Sequence, residues 1–209
     1  MAKSSDPKCK QCRREGTKLF LRGEKCSSPK CPILKRNYPP GIHGPKGRRR
    51  PTEYGNQLRE KQKAKKIYGI LERQFRNYYL KAISQKGDTG EIIQQFLELR
   101  LDNAIYRVGL ASSRKQARQM VNHGLFLVNG KKVDIPSYQL KSKDEITIKP
   151  EKTKAKIFND LEKKLEKKTM PAWISFNLQD LKIKILNKPQ GGELEQIFNP
   201  RLIVEFYSK

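Results

Sequence analysis

The sequence predicts an α+β chain: a mainly helical N-terminal domain with a zinc knuckle, then a small module of two helices packed on an antiparallel sheet. Three observations carry that expectation. All four cysteines fall within the first 31 residues, as two close pairs. Apolar residues then recur three and four apart over several segments between Thr52 and Val121, the period of amphipathic helices. Finally, Asn129-Gly130 stands between two short strand-like runs, the strongest local signal for a hairpin with a type I′ turn.

Charge narrows the class of partner. Lysine and arginine number 46 against 21 acids, a formal net charge of +25 on 209 residues, with a mean hydropathy of −0.82. Repulsion of that size disfavours an isolated compact chain, and a polyanion that neutralises it is the simplest partner. Hydrophobic residues make up 35%, enough for small cores rather than one large one. A membrane surface is the rival polyanion. However, no apolar run approaches the ~20 residues needed to span a bilayer, and MAKSSDPKCK lacks the apolar core of a secretory signal. The expectation is a soluble, intracellular chain with no membrane and no small-molecule substrate.

The elements follow in order. Cys9, Cys12, Cys26 and Cys31 form C-x2-C and C-x4-C pairs. Four thiolates so spaced suit one tetrahedral zinc, closed and therefore structural rather than catalytic. Two disulfides, unligated thiols and an iron–sulfur cluster are the alternatives, and disulfides fit poorly with a reducing compartment. Lys8, Lys10, Arg13 and Arg14 surround the first pair as a basic knob, and His43 stands apart from the cysteines and is not a ligand. Residues 32–51 hold five prolines, so they read as an extended linker, with Lys46, Arg48, Arg49 and Arg50 at its end.

Thr52 to Lys66 reads as a polar helix with lysines near its C-terminus. Ile70 to Ser84 follows, with Leu71, Phe75, Tyr78 and Ala82 on its core face. Asp88-x-x-Glu91 opens the next helix as a capping box. Its apolar face runs Ile93, Leu97, Leu101, Ile105, Val108, so one helix is expected up to Gly109. Arg100, Asn103 and Arg107 lie one turn apart on another face. Ser113 and Gln116 form a second capping box, opening a helix that carries Arg114, Arg118 and Asn122 at i, i+4 and i+8 and ends at Gly124. Leu125 to Val128, the return through Lys131 and Lys132, and Ile146 to Ile148 read as strands, with a turn at Lys143-Asp144. Lys152 to Lys168 reads as a lysine-rich helix, residues from Pro171 as irregular, and Lys182 to Ile185 as an edge-like strand. Trp173 is expected as an anchor packed on the module. Charged rows are usually solvated faces; here two consecutive helices repeat one with few acids between, and guanidinium forks in a rigid row suit phosphate.

RLDNAIYRVGLASSRKQARQMVNHGLFLVNGKKVDIPSY resembles the RNA-binding module named after bacterial small-subunit ribosomal protein number four. TEYGNQLREKQKAKKIYGILERQFRNYYLKA resembles the helical domain of that ribosomal family, and NPRLIVEFYSK looks like its C-terminus. The resemblance spans nearly the whole chain and weakens over 150–195, where the turn from Lys188 to Glu193 is looser and less basic than is usual in the family. It implies a structural protein of the small ribosomal subunit and no enzyme. Such a protein binds 16S rRNA at a helix junction, nucleates assembly of the subunit body, and lies at the mRNA entrance beside small-subunit proteins five and three. It contributes there to translational accuracy. Many bacterial members carry a four-cysteine zinc site in this place. The location implied is the ribosome, in the cytoplasm or a plastid.

Three domains are expected: 1–45 with the zinc site and linker, 46–97 helical and completed by about 196–209, and 98–195 as the RNA-binding module with core 98–150. The candidate RNA-binding set is Lys46, Arg48, Arg49, Arg50, Arg59, Lys61, Lys65 and Lys66, then Arg100, Asn103 and Arg107. Ser113, Arg114, Lys115, Arg118, Asn122, His123, Lys131 and Lys132 complete it. A pseudouridine synthase is the rival enzyme, since Arg100-Leu101-Asp102 resembles the catalytic tripeptide of those enzymes. Only about sixty residues follow the module, too few for a catalytic domain. An RNA-binding stress module is a third reading, and it needs neither the cysteines nor the helical domain.

Overall fold

The computed structural model describes residues 6–47, 50–152 and 170–208. Arg48, Arg49 and most of the expected helix from Lys152 to Lys168 lie outside the described residues. The chain divides into two units, one of residues 1–94 with 195–209 and one of residues 95–194. The cysteine segment thus falls in the same unit as the helices that follow it.

In the first unit, α1 (Lys8–Glu15), α2 (Glu24–Ser27) and α3 (Pro32–Lys35) are short, and α4 (Glu53–Ile67) and α5 (Glu72–Ile83) are longer. Thr52 caps α4 by accepting from the Gly55 N–H at 3.2 Å. The linker after α3 is not free. Arg13 donates to the Tyr38 and Pro39 carbonyls at 3.0 and 3.2 Å and lies over the Tyr38 ring. Gly44 closes this bend against Pro39, where a Cβ would meet the carbonyl oxygen at 2.0 Å, so no other residue fits. Phe75, Tyr78, Tyr79 and Ala82 form the buried side of α5, while Leu71, expected among them, is the exposed residue before its first turn.

The last described helix, α9 (Pro200–Tyr207), closes this unit. Asn199 caps it, and the Asn199 N–H donates to Glu60 at 2.9 Å. Gln57 donates to Glu205 at 3.0 Å. Tyr207 stacks on Tyr79 with ring centres 4.7 Å apart and donates its hydroxyl to Glu72 at 2.6 Å. The C-terminal return expected from the sequence is therefore a packed element rather than a tail.

In the second unit, α7 (Leu101–Val108) and α8 (Arg114–Asn122) cover one face of a five-stranded antiparallel sheet. The strands are β1 (Phe126–Val128), β2 (Lys131–Lys132), β3 (Glu145–Ile148), β4 (Ile174–Asn177) and β5 (Lys182–Ile185), in the order β2-β1-β3-β5-β4. Asn129 and Gly130 both have positive φ, as the type I′ turn requires. The Asn129 amide also spans to the next turn, donating to Asp144 and accepting from the Glu145 N–H, each at 2.9 Å. That link sets β1 beside β3.

Two expectations are corrected here. Lys182–Ile185 is not an edge strand: it pairs with β3 on one side and β4 on the other. Its lysines tolerate that position because Lys182 and Lys184 meet Glu145 at 3.3 and 3.5 Å, and hydrogen bonding to Lys182 first holds that carboxyl below its usual value. The stretch expected to be irregular supplies β4, which ends the sheet. Trp173 precedes β4 and is buried with Ile146, Ile174, Ile183 and Ile185 in the core.

Acid stability tests the packing of α4, α5 and α9. Burial works to raise the Glu72 carboxyl, but hydrogen bonds from Lys61, Tyr207 and Lys65 outweigh it and hold it at about 2, below its ordinary 4.5. A depressed carboxyl stabilises the fold above its unfolded value, and that contribution drains away as pH falls from about 4.5 toward 2. Glu72 keeps 44% of its side-chain surface, so solvent screening limits the effect to about 1 kcal/mol. Denaturant unfolding between pH 6 and pH 2 should show a steeper loss in the native chain than in Glu72→Gln; parallel curves would rule the linkage out.

Candidate nucleic-acid interface

The helix expected to run unbroken to Gly109 is two helices. α6 (Thr89–Glu98) ends, Leu99 and Arg100 are extended, and α7 begins at Leu101. The break is held by the segment 135–140. Leu101 and Asp102 donate their N–H groups to the Tyr138 and Pro136 carbonyls at 3.0 and 3.2 Å, and Leu140 donates to Leu99 at 2.8 Å. Gln139 donates to the Phe96 carbonyl at 3.0 Å. These groups satisfy backbone that an unbroken helix would have paired internally.

This break removes two expected RNA contacts. Arg100 is fully buried, with Nε 3.0 Å from Asp102 Oδ1 and Nη2 2.8 Å from Oδ2. A guanidinium enclosed and forked onto a carboxylate has no surface to offer a phosphate. Asn103 is 1% exposed and donates to both the backbone and the side chain of Glu98, at 2.9 and 2.8 Å. The tripeptide Arg100-Leu101-Asp102 is thus a structural lock.

The same carboxylate gathers the rest of the row. Glu98 is buried and takes both prongs of Arg107, at 2.8 Å from Nε and 2.6 Å from Nη2. Arg114 donates from Nε to Asn103 Oδ1 at 2.7 Å and lies 4.5 Å above the Tyr106 ring. So Arg107 and Arg114 are not a solvated row waiting for phosphates. They are the outer members of a network built on Glu98, with one guanidinium side partly exposed at Arg107 and Arg114.

Around α8 the surface is freer. Ser113 caps the helix by accepting from the Gln116 N–H at 3.3 Å. Gln116 does not return the bond to Ser113 as the expected box requires; its Oε1 accepts from the Ser112 N–H and hydroxyl at 2.8 and 2.7 Å. Lys115, Asn122 and His123 are exposed, Arg118 half-buried, and Lys131 and Lys132 exposed on the hairpin. The structure therefore leaves Lys115, Lys131 and Lys132 as the fully exposed lysines of the expected set in this unit.

The basic side chains of α4 divide the same way. Lys61 is buried, 2.8 Å from Glu72 and over the Phe206 ring at 4.2 Å. Lys65 meets Glu72 at 2.9 Å, and Arg59 meets the buried Glu15 at 3.4 Å, where Lys66 also pairs. These four, expected on the RNA side, tie α4 to α1, α5 and α9 instead. Lys46 and Arg50 remain exposed. The expected set omits Arg73, Arg76 and Lys81, which stand exposed on α5. Their signal was present as the complement of the Phe75, Tyr78, Ala82 core face.

The four cysteines come together. Cys9 and Cys12 lie one turn apart on α1, Cys26 in α2 and Cys31 just before α3, and all four line one small cavity with Leu21, Arg22 and Ile33. None is in a disulfide. Burial pushes the Cys12 thiol up, the Leu19 backbone opposes it, and the other three thiols add to the rise. The Arg22 N–H donates to Cys26 Sγ at 3.3 Å and its guanidinium to Cys9 Sγ at 3.8 Å. Among the described residues, no three cysteine, histidine or acidic side chains stand at spacing that would hold an ion.

Comparison with known proteins gives two matches within the chain. Residues 3–98 match the family described as "Ribosomal protein S4/S9 N-terminal domain", and residues 99–146 match the S4 domain. Similar relatives include small ribosomal subunit protein uS4 of Syntrophomonas wolfei, 46% identical, and uS4A of Clostridium botulinum, 49% identical. The uS4 protein of Halothermothrix orenii is also 49% identical. Each match covers all of this chain and all of the relative.

The two classes of basic residue separate in a stability measurement. Arg100→Ala strands Asp102 buried and unpaired and should cost about 3–5 kcal/mol. Lys115→Ala and Lys131→Ala should stay within about 0.5 kcal/mol of the native chain. Denaturant unfolding of the three variants checks this; a cost for Arg100→Ala as small as for the lysines would show that the buried pair does not hold the break.

Proposed function

The chain belongs to the uS4 family of small ribosomal subunit proteins, structural components and not enzymes, and from that premise we propose that it binds the small-subunit rRNA directly. The observation that supports the reading most is the division of charge. Three acids, Glu15, Glu98 and Asp102, are buried against basic partners, while basic residues outnumber acidic ones 46 to 21 over the chain. Lys46, Arg50, Lys115, Lys131 and Lys132 are exposed, and such lysines and arginines release counterions when they meet phosphates.

The target is a junction of helices in 16S rRNA rather than a base sequence. A-form RNA hides base edges in its deep groove, so rigid surfaces that fix which phosphates can be met together read shape. Binding of this kind nucleates folding of the subunit body. The protein works in the ribosome in the cytoplasm, next to small-subunit proteins five and three at the mRNA entrance, where it contributes to accuracy. RNA modification is not its role: Arg100 and Asp102 are consumed by each other, which argues against a catalytic aspartate.

The cysteine cavity takes one zinc in this reading. Cys9, Cys12, Cys26 and Cys31 are soft donors in a closed set, and an ion would offset the burial, and the lesser effect of the neighbouring thiols, that push the Cys12 thiol up. The backbone and guanidinium N–H groups of Arg22 are placed to donate to the sulfurs of Cys26 and Cys9. When bound, the ion would cross-link α1 to the segments carrying Cys26 and Cys31.

Sedimentation tests the main reading. The tagged protein in a cell lysate should comigrate with small subunits through a sucrose gradient, and its absence from that fraction would refute the proposal. For the metal, elemental analysis of protein purified without added zinc should give one zinc per chain, lost in Cys26→Ala/Cys31→Ala. Zinc absent from the native chain, or retained in that variant, would refute the assignment.

A further inference from the structure

The segment from Leu19 to Arg22 turns hydrogen-bond donors onto three of the four cysteine sulfurs. The Leu19 backbone hydrogen-bonds Cys12. The Arg22 backbone N–H donates to Cys26 Sγ at 3.3 Å, and its guanidinium donates to Cys9 Sγ at 3.8 Å. A single residue thus spans the two halves of the set, since Cys9 belongs to the first close pair and Cys26 to the second.

The backbone is bent to achieve this. Phe20 has a φ of 50°, a left-handed conformation that a bulky aromatic residue seldom adopts, and Gly23 turns with a φ of 62° before α2 begins. Leu19 is fully buried and anchors the start of the turn, whereas Phe20 is 39% exposed, so packing of its ring does little to offset the strain. What the bend does supply is the placement of backbone donors on either side of Phe20.

The Arg22 side chain adds what backbone amides cannot. Cys12, Cys26 and Cys31 are buried, and Cys9 is the half-buried member of the four. Cys9 is therefore the sulfur most open to water and to competing reagents, and it is the one that receives the guanidinium. Four thiolates on a divalent cation leave negative charge uncompensated. Donors aimed at the sulfurs disperse that charge and fix the direction of their lone pairs.

We propose that Arg22 is the positioning residue of the zinc site, its guanidinium holding Cys9 on the ion while its backbone N–H holds Cys26; this rests on the zinc reading above. Lys25 lines the same cavity but donates to no sulfur among the described residues, which makes it the control for positive charge that is near the thiolates and not aimed at them.

The test is competition for zinc between the full-length chain and a chromophoric chelator, alongside limited alkylation of the zinc-loaded chain by iodoacetamide with mass mapping of the cysteines. Arg22→Ala should lower zinc affinity about 10- to 100-fold. Arg22→Lys, which keeps the charge and one donor group, should recover part of that loss, and Lys25→Ala should leave the affinity unchanged. Alkylation should begin at Cys9 and be faster there in Arg22→Ala, with the other three cysteines modified as slowly as in the native chain. Native-like affinity and Cys9 reactivity in Arg22→Ala would overturn the role and leave the zinc reading standing. A loss in Lys25→Ala as large as in Arg22→Ala would overturn it in favour of undirected charge. If all four cysteines of Arg22→Ala gained reactivity together, the side chain would serve the fold of the segment and the positioning role would fall. Absence of zinc from the native chain would sink both readings.

Discussion

The second unit depends on one buried carboxylate. Glu98, at the end of α6, accepts from Arg107 and Asn103 of α7, and Asn103 in turn accepts from Arg114 of α8. Three helices thus share a fixed reference atom group in the interior. Removing any member would strand the others in a low-dielectric site, a cost larger than the net gain of the pairs themselves. The adjoining Arg100–Asp102 fork does the same for the break between α6 and α7. These pairs act beside the backbone bonds from the segment 135–140 at a place where the apolar period through Leu97, Leu101 and Ile105 by itself favours a continuous helix.

The first unit repeats the principle with other residues. Glu15 collects Arg59 and Lys66, and Glu72 collects Lys61, Lys65 and Tyr207. Burial and the hydrogen bond to Glu72 together push the Tyr207 hydroxyl well above its ordinary range, so it stays a donor at any physiological pH. In a chain with 46 basic and 21 acidic residues, this use of acids has a consequence at the surface. Each carboxylate turned inward pairs with a basic residue that the fold uses, and fewer carboxylates are left to face the cations at the surface.

That residue of charge is what supports the rRNA reading. A protein in which some cations are held in internal ion pairs and others face outward is rigid where it must hold shape and positive where a polyanion would lie. In the rRNA reading proposed above, affinity comes from counterion release and selectivity from which phosphates a rigid surface can meet together.

The sequence by itself determined much that is local. The Ser113 cap, the Asn129-Gly130 turn, the cysteine pairs and, Leu71 apart, the core face of α5 all follow from short-range chemistry: an oxygen one turn from an N–H, a residue that tolerates positive φ, or apolar groups at a helical period. Resemblance extended that to the family. Only the tertiary structure decided which charged residues face in. Arg100 and Lys61 look like surface cations because they are charged and lie off the apolar period, but their partners are a carboxylate fixed by the α6–α7 break and one placed by a helix eleven residues on. The place of Lys182–Ile185 inside the sheet was likewise hidden, since alternation gives a strand's two faces and not its neighbours. Periodicity reports the direction of a side chain relative to its own helix or strand. Burial depends on what packs there, and for a charged residue that is set by a partner that can be distant in sequence.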